Sequence, residues 1–495
     1  MLDLTPEDRV TGDNFWVEKG QIEIAMVGGY GRLQACLYRF YAWGEIRSDL
    51  IAPIGGSGQD LFDRRDAVNN MMTQDNHLSD WTDIYSAINQ FNFIIENAPL
   101  VMAADRSFTQ PELDLFMAEA KTLRALCYFY LARTFHEFPY LTEPSKDDEQ
   151  EHRVVPIPGI QVLDSIVADL VWAESRARDN FDDVIFSTPD IKLRYEKGRV
   201  SKPVVWALLA DVYLTINEYE KALEMLDKII ESNKFNLANS ANTWFEIFFP
   251  GNSPEGIFEL QFSREFQNSG DFIRWFSTNS AVRGEGWYQL QSTYRTSSFF
   301  HWVGDDLMNP IIDLRGTGGT FPFGFVITDF VPVWKWAGRD HGATRDTPRQ
   351  RDANSNDPNW IFYRLADIYL MKAEAVNRLD RSDEALEILS MIRRRVNNNE
   401  EISVEGVELI EEFILDERYR ELAFEGKRWF DMVRIARRRG TPDVIGDRLA
   451  IARERTILSE GPVRARIVDP QSWYFPIHRA EIERNPNLVQ NTYYR

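Results

Sequence analysis

Residues 416–434, DERYRELAFEGKRWFDMVR, decide how the rest of this chain is interpreted. Apolar side chains recur in them at helical spacing, which predicts a helix with one buried face. Charged side chains of opposite sign surround that face at i,i+3 and i,i+4 spacing. The predicted pairs are Asp416–Arg420, Glu425–Arg428 and Lys427–Asp431. Because a glycine costs about 1 kcal/mol in a helix interior, Gly426 predicts a bend or the close approach of another backbone.

Composition and charge restrict the classes of function. The chain has 495 residues, of which 44% are hydrophobic and 13% aromatic, as expected of a globular protein with a large core. Its formal net charge of −21 argues against nucleic acid or anionic lipid as a direct partner. Cys36 and Cys127 lie among apolar neighbours, which predicts buried free thiols. A disulfide between them is the alternative if the protein is exported.

Two segments have the spacing of paired helices. In residues 200–231, Trp206, Ala210, Tyr213 and Ala222 fall at the offsets of a tetratricopeptide repeat, with a turn at Asn217. The small alanines allow two helices to approach closely, and the aromatic rings fill the space between them. Residues 364–395 repeat the pattern. Such units cannot bury their faces alone, so we predict a mostly α fold, a tetratricopeptide-like helical-repeat superhelix.

Residues 232–359 break the helical pattern. They lack a sustained 3.6-residue period, hold twelve of the 28 glycines, and contain a short strand-like alternation at 256–262. We therefore predict a single domain over 1–495, with a helical scaffold at 1–231 and 360–437. The remaining parts are a loop-rich insertion at 232–359 and an irregular tail at 438–495. Binding sites commonly lie on loops that a rigid scaffold positions, so the insertion is the expected ligand-binding face.

Aromatic side chains are concentrated in this insertion. A sugar presents an apolar face edged by hydroxyls, so a sugar-binding site needs flat rings beside planar hydrogen-bonding groups. The candidate aromatic residues are Trp302, Phe300, Trp275, Trp287, Trp334 and Trp336. The polar candidates, near helix ends or in an irregular stretch at 52–79, are Asp49, Arg65, Asn76 and Arg364. The competing interpretation is that the tryptophans pack a local core and that the polar side chains only solvate the surface.

The sequence shows little that is typical of an enzyme. Its six histidines lack metal-ligand spacing, and neither a nucleophile elbow nor a phosphate-binding loop is present. Glu417, Glu421, Glu425 and Asp431 are predicted to form structural ion pairs, although counting carboxylates does not exclude a glycosidase pair. We expect no cofactor. A calcium site is a weakly supported alternative, and its ligands would be Asp305, Asp306 and Asp313.

Several segments together resemble the SusD/RagB family of surface-binding lipoproteins. The segments are residues 2–6 (LDLTP), 14–16 (NFW), 81–89 (WTDIYSAIN), 124–135 (RALCYFYLARTF), 364–375 (RLADIYLMKAEA), 417–431 (ERYRELAFEGKRWFD) and 475–491 (FPIHRAEIERNPNLVQN). His478 departs from the family pattern, in which a proline is usual. The lipidation cysteine of the family has no counterpart here, as expected if the leader has been removed.

The resemblance implies four tetratricopeptide-like helix pairs that carry an irregular subdomain. It also implies a lipid-anchored protein on the outer face of the outer membrane, which caps a SusC-like TonB-dependent transporter and holds a glycan for import. We therefore predict a non-catalytic glycan-binding protein. The alternatives are a peptide-binding RagB-type uptake protein and, less favoured, a glycoside hydrolase.

Overall fold

The computed structural model is mostly helical. It describes residues 15–52, 58–146, 154–263, 271–277, 286–290, 302–303, 311–316, 319–320, 333–339, 350–351, 358–453 and 460–495. Among these residues, no helix is both long enough and apolar enough to cross a membrane.

The N-terminal half contains helices and three short strands. Its helices are α1 (Lys19–Ala35), α2 (Leu37–Glu45), α3 (Gly58–Val68), α4 (Thr82–Ala104), α5 (Gln110–Thr134), α6 (Gly159–Glu174), α7 (Pro189–Gly198), α8 (Lys202–Thr215) and α9 (Tyr219–Glu231). Strand β1 (Ile51–Ala52) pairs with a strand of the insertion, and β2 (Glu137–Phe138) pairs with β3 (Ile157–Pro158). Local signals set some of these boundaries. Thr109 and Glu112, for example, form a capping box at the start of α5.

The insertion and the C-terminal part follow. The elements of the insertion are α10 (Ala241–Glu246), β4 (Gly256–Leu260), α11 (Phe272–Phe276), β5 (Gln289–Leu290), β6 (Trp302–Val303), β7 (Ile311–Ile312) and α12 (Trp334–Ala337). After them come β8 (Trp360–Arg364), α13 (Leu365–Arg378), α14 (Ser382–Arg394), α15 (Val407–Leu422), α16 (Arg428–Arg439), α17 (Asp443–Arg453), α18 (Glu460–Ile467) and α19 (Arg479–Arg484). Strands β4 and β8 pair in antiparallel fashion, so the insertion is joined to the scaffold immediately before α13.

Both predicted helix pairs are present. Helices α8 and α9 pack together and are joined by a turn at Asn217, whose φ is +63°. Ala210 and Ala222 are fully buried, whereas Trp206 is half-buried and donates from Nε1 to Glu174 at 3.0 Å. Helices α13 and α14 form the second pair. The periodicity therefore located the helices correctly, because it reports which face of each one is buried.

The 416–434 stretch forms two helices, α15 and α16, with a break at residues 423–427. Gly426 lies in this break with φ of +72°. Its carbonyl is so close to Gly44 in α2 that a Cβ on Gly44 would lie 1.7 Å from the oxygen. The predicted close backbone approach is thus confirmed, and the helix is interrupted. The oxygens of the buried Glu45 carboxyl group accept hydrogen bonds from the backbone N–H groups of Phe424 and Lys427, which fixes α2 to the break.

The C-terminal tail is more regular than expected. Instead of an irregular segment after residue 438, the structure has α17 and α18, with α17 packed on both α16 and α18. The two cysteines are buried and free, so the first interpretation is confirmed and the disulfide alternative is wrong.

Candidate ligand-binding site

The N-terminal loop region and the insertion meet in space. Strand β1 pairs with β5, with Ile51 opposite Leu290 and Ala52 opposite Gln289. Two segments that the sequence singled out separately, some 240 residues apart, are thereby brought together. Helix α3 begins shortly after β1, and its buried side includes Arg64, Ala67 and Val68.

Arginine and aromatic side chains form a cluster at this junction. We define the aromatic–arginine cluster as Tyr38, Tyr41, Arg64, Arg274, Trp275, Trp287 and Tyr288. The guanidinium carbon of Arg64 lies 4.2 Å from the Trp287 ring centroid, and that of Arg274 lies 4.4 Å from it. The ring of Tyr38 lies 5.2 Å from Trp275 and 5.9 Å from Trp287. A cation over an indole face is favourable, so Trp287 fastens α3 to the insertion.

The phenols of the cluster stay protonated at neutral pH. Burial raises the pKa of Tyr38, and it raises the pKa of Tyr41 and Tyr288 well above the usual value. The hydroxyls of Tyr38 and Tyr288 are 2.7 Å apart and share a hydrogen bond. The buried Tyr41 hydroxyl has no hydrogen-bond partner among the residues that the structure describes. A water or a ligand hydroxyl that reached it would satisfy this donor.

The tryptophans of the cluster are mostly enclosed. Trp275 and Trp287 are 4% and 7% exposed, so their rings are largely covered by protein, as in the packing interpretation. Arg274 and Tyr38 are half-buried and are the members of the cluster that reach the surface. Residues 278–285 and 291–301, which flank β5 or β6, lie outside the described residues, and so does Phe300. The cluster therefore joins α3 to the insertion and offers little ring surface of its own.

The other predicted tryptophans divide between the interior and the undescribed part. Trp334 and Trp336 in α12 are buried, and Trp336 donates from Nε1 to the Phe424 carbonyl at 2.9 Å. Trp336 also stacks on Trp360, with 5.8 Å between ring centroids, and so joins the insertion to β8. Trp302 begins β6, but its side chain is not among those described. Both buried rings pack the core, and ligand binding by Trp302 stays a prediction.

Two of the predicted polar residues are buried in ion pairs. Asp49 receives both Nε and Nη2 of Arg428 at 2.9 Å, and this arginine lowers the carboxyl pKa against the effect of burial. Arg364 at the end of β8 donates to Glu255, Glu421 and Glu425. Neither side chain presents a free surface to a ligand. Both hold distant parts of the chain together, because each partner belongs to another element.

The remaining polar candidates lie near α3. Arg65 is exposed, whereas its neighbour Arg64 is the residue that reaches the insertion. Asn76 is buried and accepts the Leu78 backbone N–H, which caps a short 3₁₀ turn. The predicted residue was Arg65, but the arginine that contacts Trp287 is Arg64. The available signal was the spacing of Ala67 and Val68, three and four residues after Arg64, which places Arg64 on the apolar side of α3.

The carboxylates of the 416–434 stretch are held in a buried network. The cations Arg315, Lys335, Arg364 and Arg395 contact the carboxylates of Asp313, Glu255, Glu417, Glu421 and Glu425. Asp431 pairs with Arg418 at 2.8 Å. The predicted structural role of these carboxylates is confirmed. The partners, however, come largely from other elements, which local spacing could not indicate.

The described residues contain no group of three or more side chains suited to a metal ion. Asp313, one ligand of the alternative calcium site, is buried, and its two carboxylate oxygens accept hydrogen bonds from Nε and Nη2 of Arg315. The other two aspartates of that site lie outside the described residues.

Comparison with known proteins matches two parts of the chain to family models. Residues 317–494 match the model described as the SusD family, and residues 57–214 match the one described as starch-binding associating with outer membrane. A SusD-like protein P38 of Formosa agariphila is 24% identical, with 100% of this chain and 95% of the relative covered. By these matches the chain is similar to proteins of the SusD family over most of its length.

Solved structures show the same fold. The surface glycan-binding protein A from Bacteroides uniformis superposes with a TM-score of 0.72 at 20% identity, covering 96% of this chain and 99% of that one. NanU of Bacteroides fragilis superposes with a TM-score of 0.70 at 19% identity, covering 99% and 100%.

Proposed function

We propose that this protein is a non-catalytic glycan-binding protein, which captures a glycan at the face where α3 and the insertion meet. The observation that carries the proposal is the contact of the Trp287 ring with both Arg64 of α3 and Arg274 of the insertion. It unites the two regions that the sequence marked for binding. Support for a glycan comes from the family model described as starch-binding and from the structural neighbour of Bacteroides uniformis, which is named surface glycan-binding protein A.

We further propose that the protein is lipid-anchored at the outer membrane, faces outward and delivers its ligand to a SusC-like TonB-dependent transporter. The family description, which mentions association with the outer membrane, supports the location. The proposal requires no metal or cofactor. Its net charge of −21 is compatible with a protein that does not itself rest on an anionic lipid surface.

Affinity electrophoresis tests the ligand class. The purified protein is run through gels that contain starch, xylan, mixed-linkage glucan or an acidic polysaccharide, and a tryptic casein digest is titrated by calorimetry. Retardation by at least one glycan is expected. No retardation together with heat from peptides would instead establish the RagB-type alternative. Release of reducing sugar from the retarding glycan would contradict a non-catalytic role, and the same assay with added calcium tests for a metal requirement.

Two variants locate the site. Arg274→Ala removes the half-buried cation beside Trp287 and should weaken retardation. The matched control is Arg176→Ala, because Arg176 is also half-buried and lies 4.3 Å from an indole, that of Trp172, in a different part of the fold. Equal retardation of both variants would remove the aromatic–arginine cluster from the site. Trp302→Ala tests the predicted aromatic platform in the same gels.

A further inference from the structure

A cavity that is separate from the aromatic–arginine cluster lies between α4, the loop 139–145 and the C-terminal segment around α19. Its volume is about 890 Å³, which is within the range of small-molecule binding pockets. None of its lining residues belongs to the aromatic–arginine cluster. We call it the α4 groove, and the residues that carry the argument are Tyr85, Ser86, Asn89, Tyr140, Thr142 and Arg484.

The α4 groove combines ring surface with neutral hydrogen-bonding groups. Tyr85 and Tyr140 are half-buried; Tyr85 donates its hydroxyl to the Pro139 carbonyl at 2.6 Å, and Tyr140 packs on Tyr128 with 4.7 Å between centroids. The Thr142 carbonyl accepts from Arg124, but the side-chain hydroxyls of Ser86 and Thr142 make no hydrogen bond to the described part of the chain. Ring surface beside open hydroxyls suits a sugar ring, which offers an apolar face and hydroxyl edges.

In the wall formed by the loop 139–145, several backbone N–H and C=O groups are already hydrogen-bonded within the protein. The Leu141 N–H donates to the Tyr128 hydroxyl at 2.8 Å, and the Leu141 carbonyl accepts from Tyr128 and from Asn92. Asn89 binds both the N–H and the carbonyl of Ser145, at 2.7 and 3.4 Å. An extended peptide usually binds by pairing with open backbone groups of a strand edge. Since these groups of Leu141 and Ser145 are already occupied, they are not open to a peptide, and the argument for a ligand rests on the side chains of the groove.

The charges of the groove disfavour an anionic ligand, because Glu143 and Glu481 line it together with a single arginine, Arg484. Arg484 donates to Glu481 at 2.9 Å, so the guanidinium is paired within the groove itself. The loop is held rigidly by the contacts above, which lowers the entropy lost on binding. We propose that the α4 groove is a second carbohydrate-binding site, for a neutral oligosaccharide gripped by the Tyr85 and Tyr140 rings and the Ser86 and Thr142 hydroxyls. The choice of carbohydrate as the class rests on the proposed function.

Blocking the groove tests this assignment. Ser86→Trp fills it from α4, and Tyr140→Ala removes one ring. The control is Ser390→Trp, because Ser390 is likewise a half-exposed helical serine, but it lies in α14 and does not line the groove. Binding of maltoheptaose, xylohexaose and cellohexaose is measured by saturation-transfer NMR and calorimetry, and melting temperatures verify that each variant folds. Both groove variants should lower the affinity for a bound oligosaccharide about fivefold or more, as expected for losing one ring contact of about 1 kcal/mol.

The outcomes separate the groove from the proposed function. If Arg274→Ala abolishes all glycan binding while both groove variants bind as the wild type does, the groove assignment is wrong and the glycan-binding function stands. If the wild type binds acidic polysaccharide but none of the three neutral oligosaccharides, the groove assignment again fails alone. If it binds no glycan of any kind, both fail. Binding of casein peptides that Ser86→Trp removes would make the groove a peptide site and overturn the proposal.

Discussion

The substitution Gly44→Ala tests the close approach between α2 and the break after α15. Two opposing effects act on it. Helix propensity favours alanine over glycine by about 1 kcal/mol in the interior of a helix. Against this, the new Cβ would lie 1.7 Å from the Gly426 carbonyl oxygen and 2.5 Å from its carbon. Both are backbone atoms, so no side-chain rotation can relieve the contact.

The steric effect should decide the sign. Overpacking a core costs typically about 1 to 3 kcal/mol, and a backbone obstacle places Gly44→Ala at or above the upper end of that range. The Arg428–Asp49 pair and the contacts of Glu45 resist separation of the two segments. We therefore expect a net loss of roughly 2 kcal/mol or more in the free energy of unfolding after the gain in propensity is subtracted.

Urea denaturation followed by tryptophan fluorescence and circular dichroism measures the change. The matched control is Gly31→Ala in α1, where the Cβ would meet nothing within 4 Å, so only the gain in propensity of about 1 kcal/mol should remain. Gly426→Ala should also destabilise, since its φ is +72° and its Cβ would lie 2.9 Å from the Trp360 ring. If Gly44→Ala proved as stable as Gly31→Ala, the close approach of the two backbones would be refuted.

Three further predictions concern buried charges. Cationic partners lower the pKa of Asp367 and of Glu374 to about 2 in spite of burial. The stabilisation by these two carboxylates is therefore complete above their pKa values in the unfolded chain and is lost as pH falls toward 2, which removes about 6 kcal/mol in total. Glu374→Gln should flatten the dependence of the melting temperature on pH. Burial raises the pKa of Glu45 to about 8, so the contribution of the protonated Glu45 to the free energy of unfolding is present at low pH and is lost as pH rises. From pH 5 to 8 the wild type should lose about 3 to 4 kcal/mol of stability relative to Glu45→Ala. A stability difference that did not depend on pH would contradict this prediction. Arg364→Leu leaves Glu421 and Glu425 without a main partner and should cost about 3 to 5 kcal/mol in urea denaturation, whereas exchange of the exposed Arg65 for leucine should change stability by less than about 0.5 kcal/mol.

The sequence alone determined the local architecture. The spacing around Ala210 and Ala222 located one helix pair, and the alternation of apolar and polar residues at 256–262 located β4. Both periods can be recognised within one short segment, because they depend only on how successive side chains are directed. Gly426 signalled the close approach for a similar reason, since a glycine in a helix-forming stretch has a local cost that only contacts can offset. The motifs that resemble the SusD/RagB family agree with the two SusD-type models that match the chain.

Only the tertiary structure decided which distant residues meet. Arg428 pairs with Asp49, and Arg364 joins three carboxylates of other elements, although sequence spacing favoured local partners. The same packing enclosed Trp336 and selected Arg64 over Arg65 for the contact with Trp287. The α4 groove arises from three segments that have no common pattern in the sequence. The physical reason is that periodicity shows which face of an element is buried, whereas the choice of what covers that face depends on how all the elements pack.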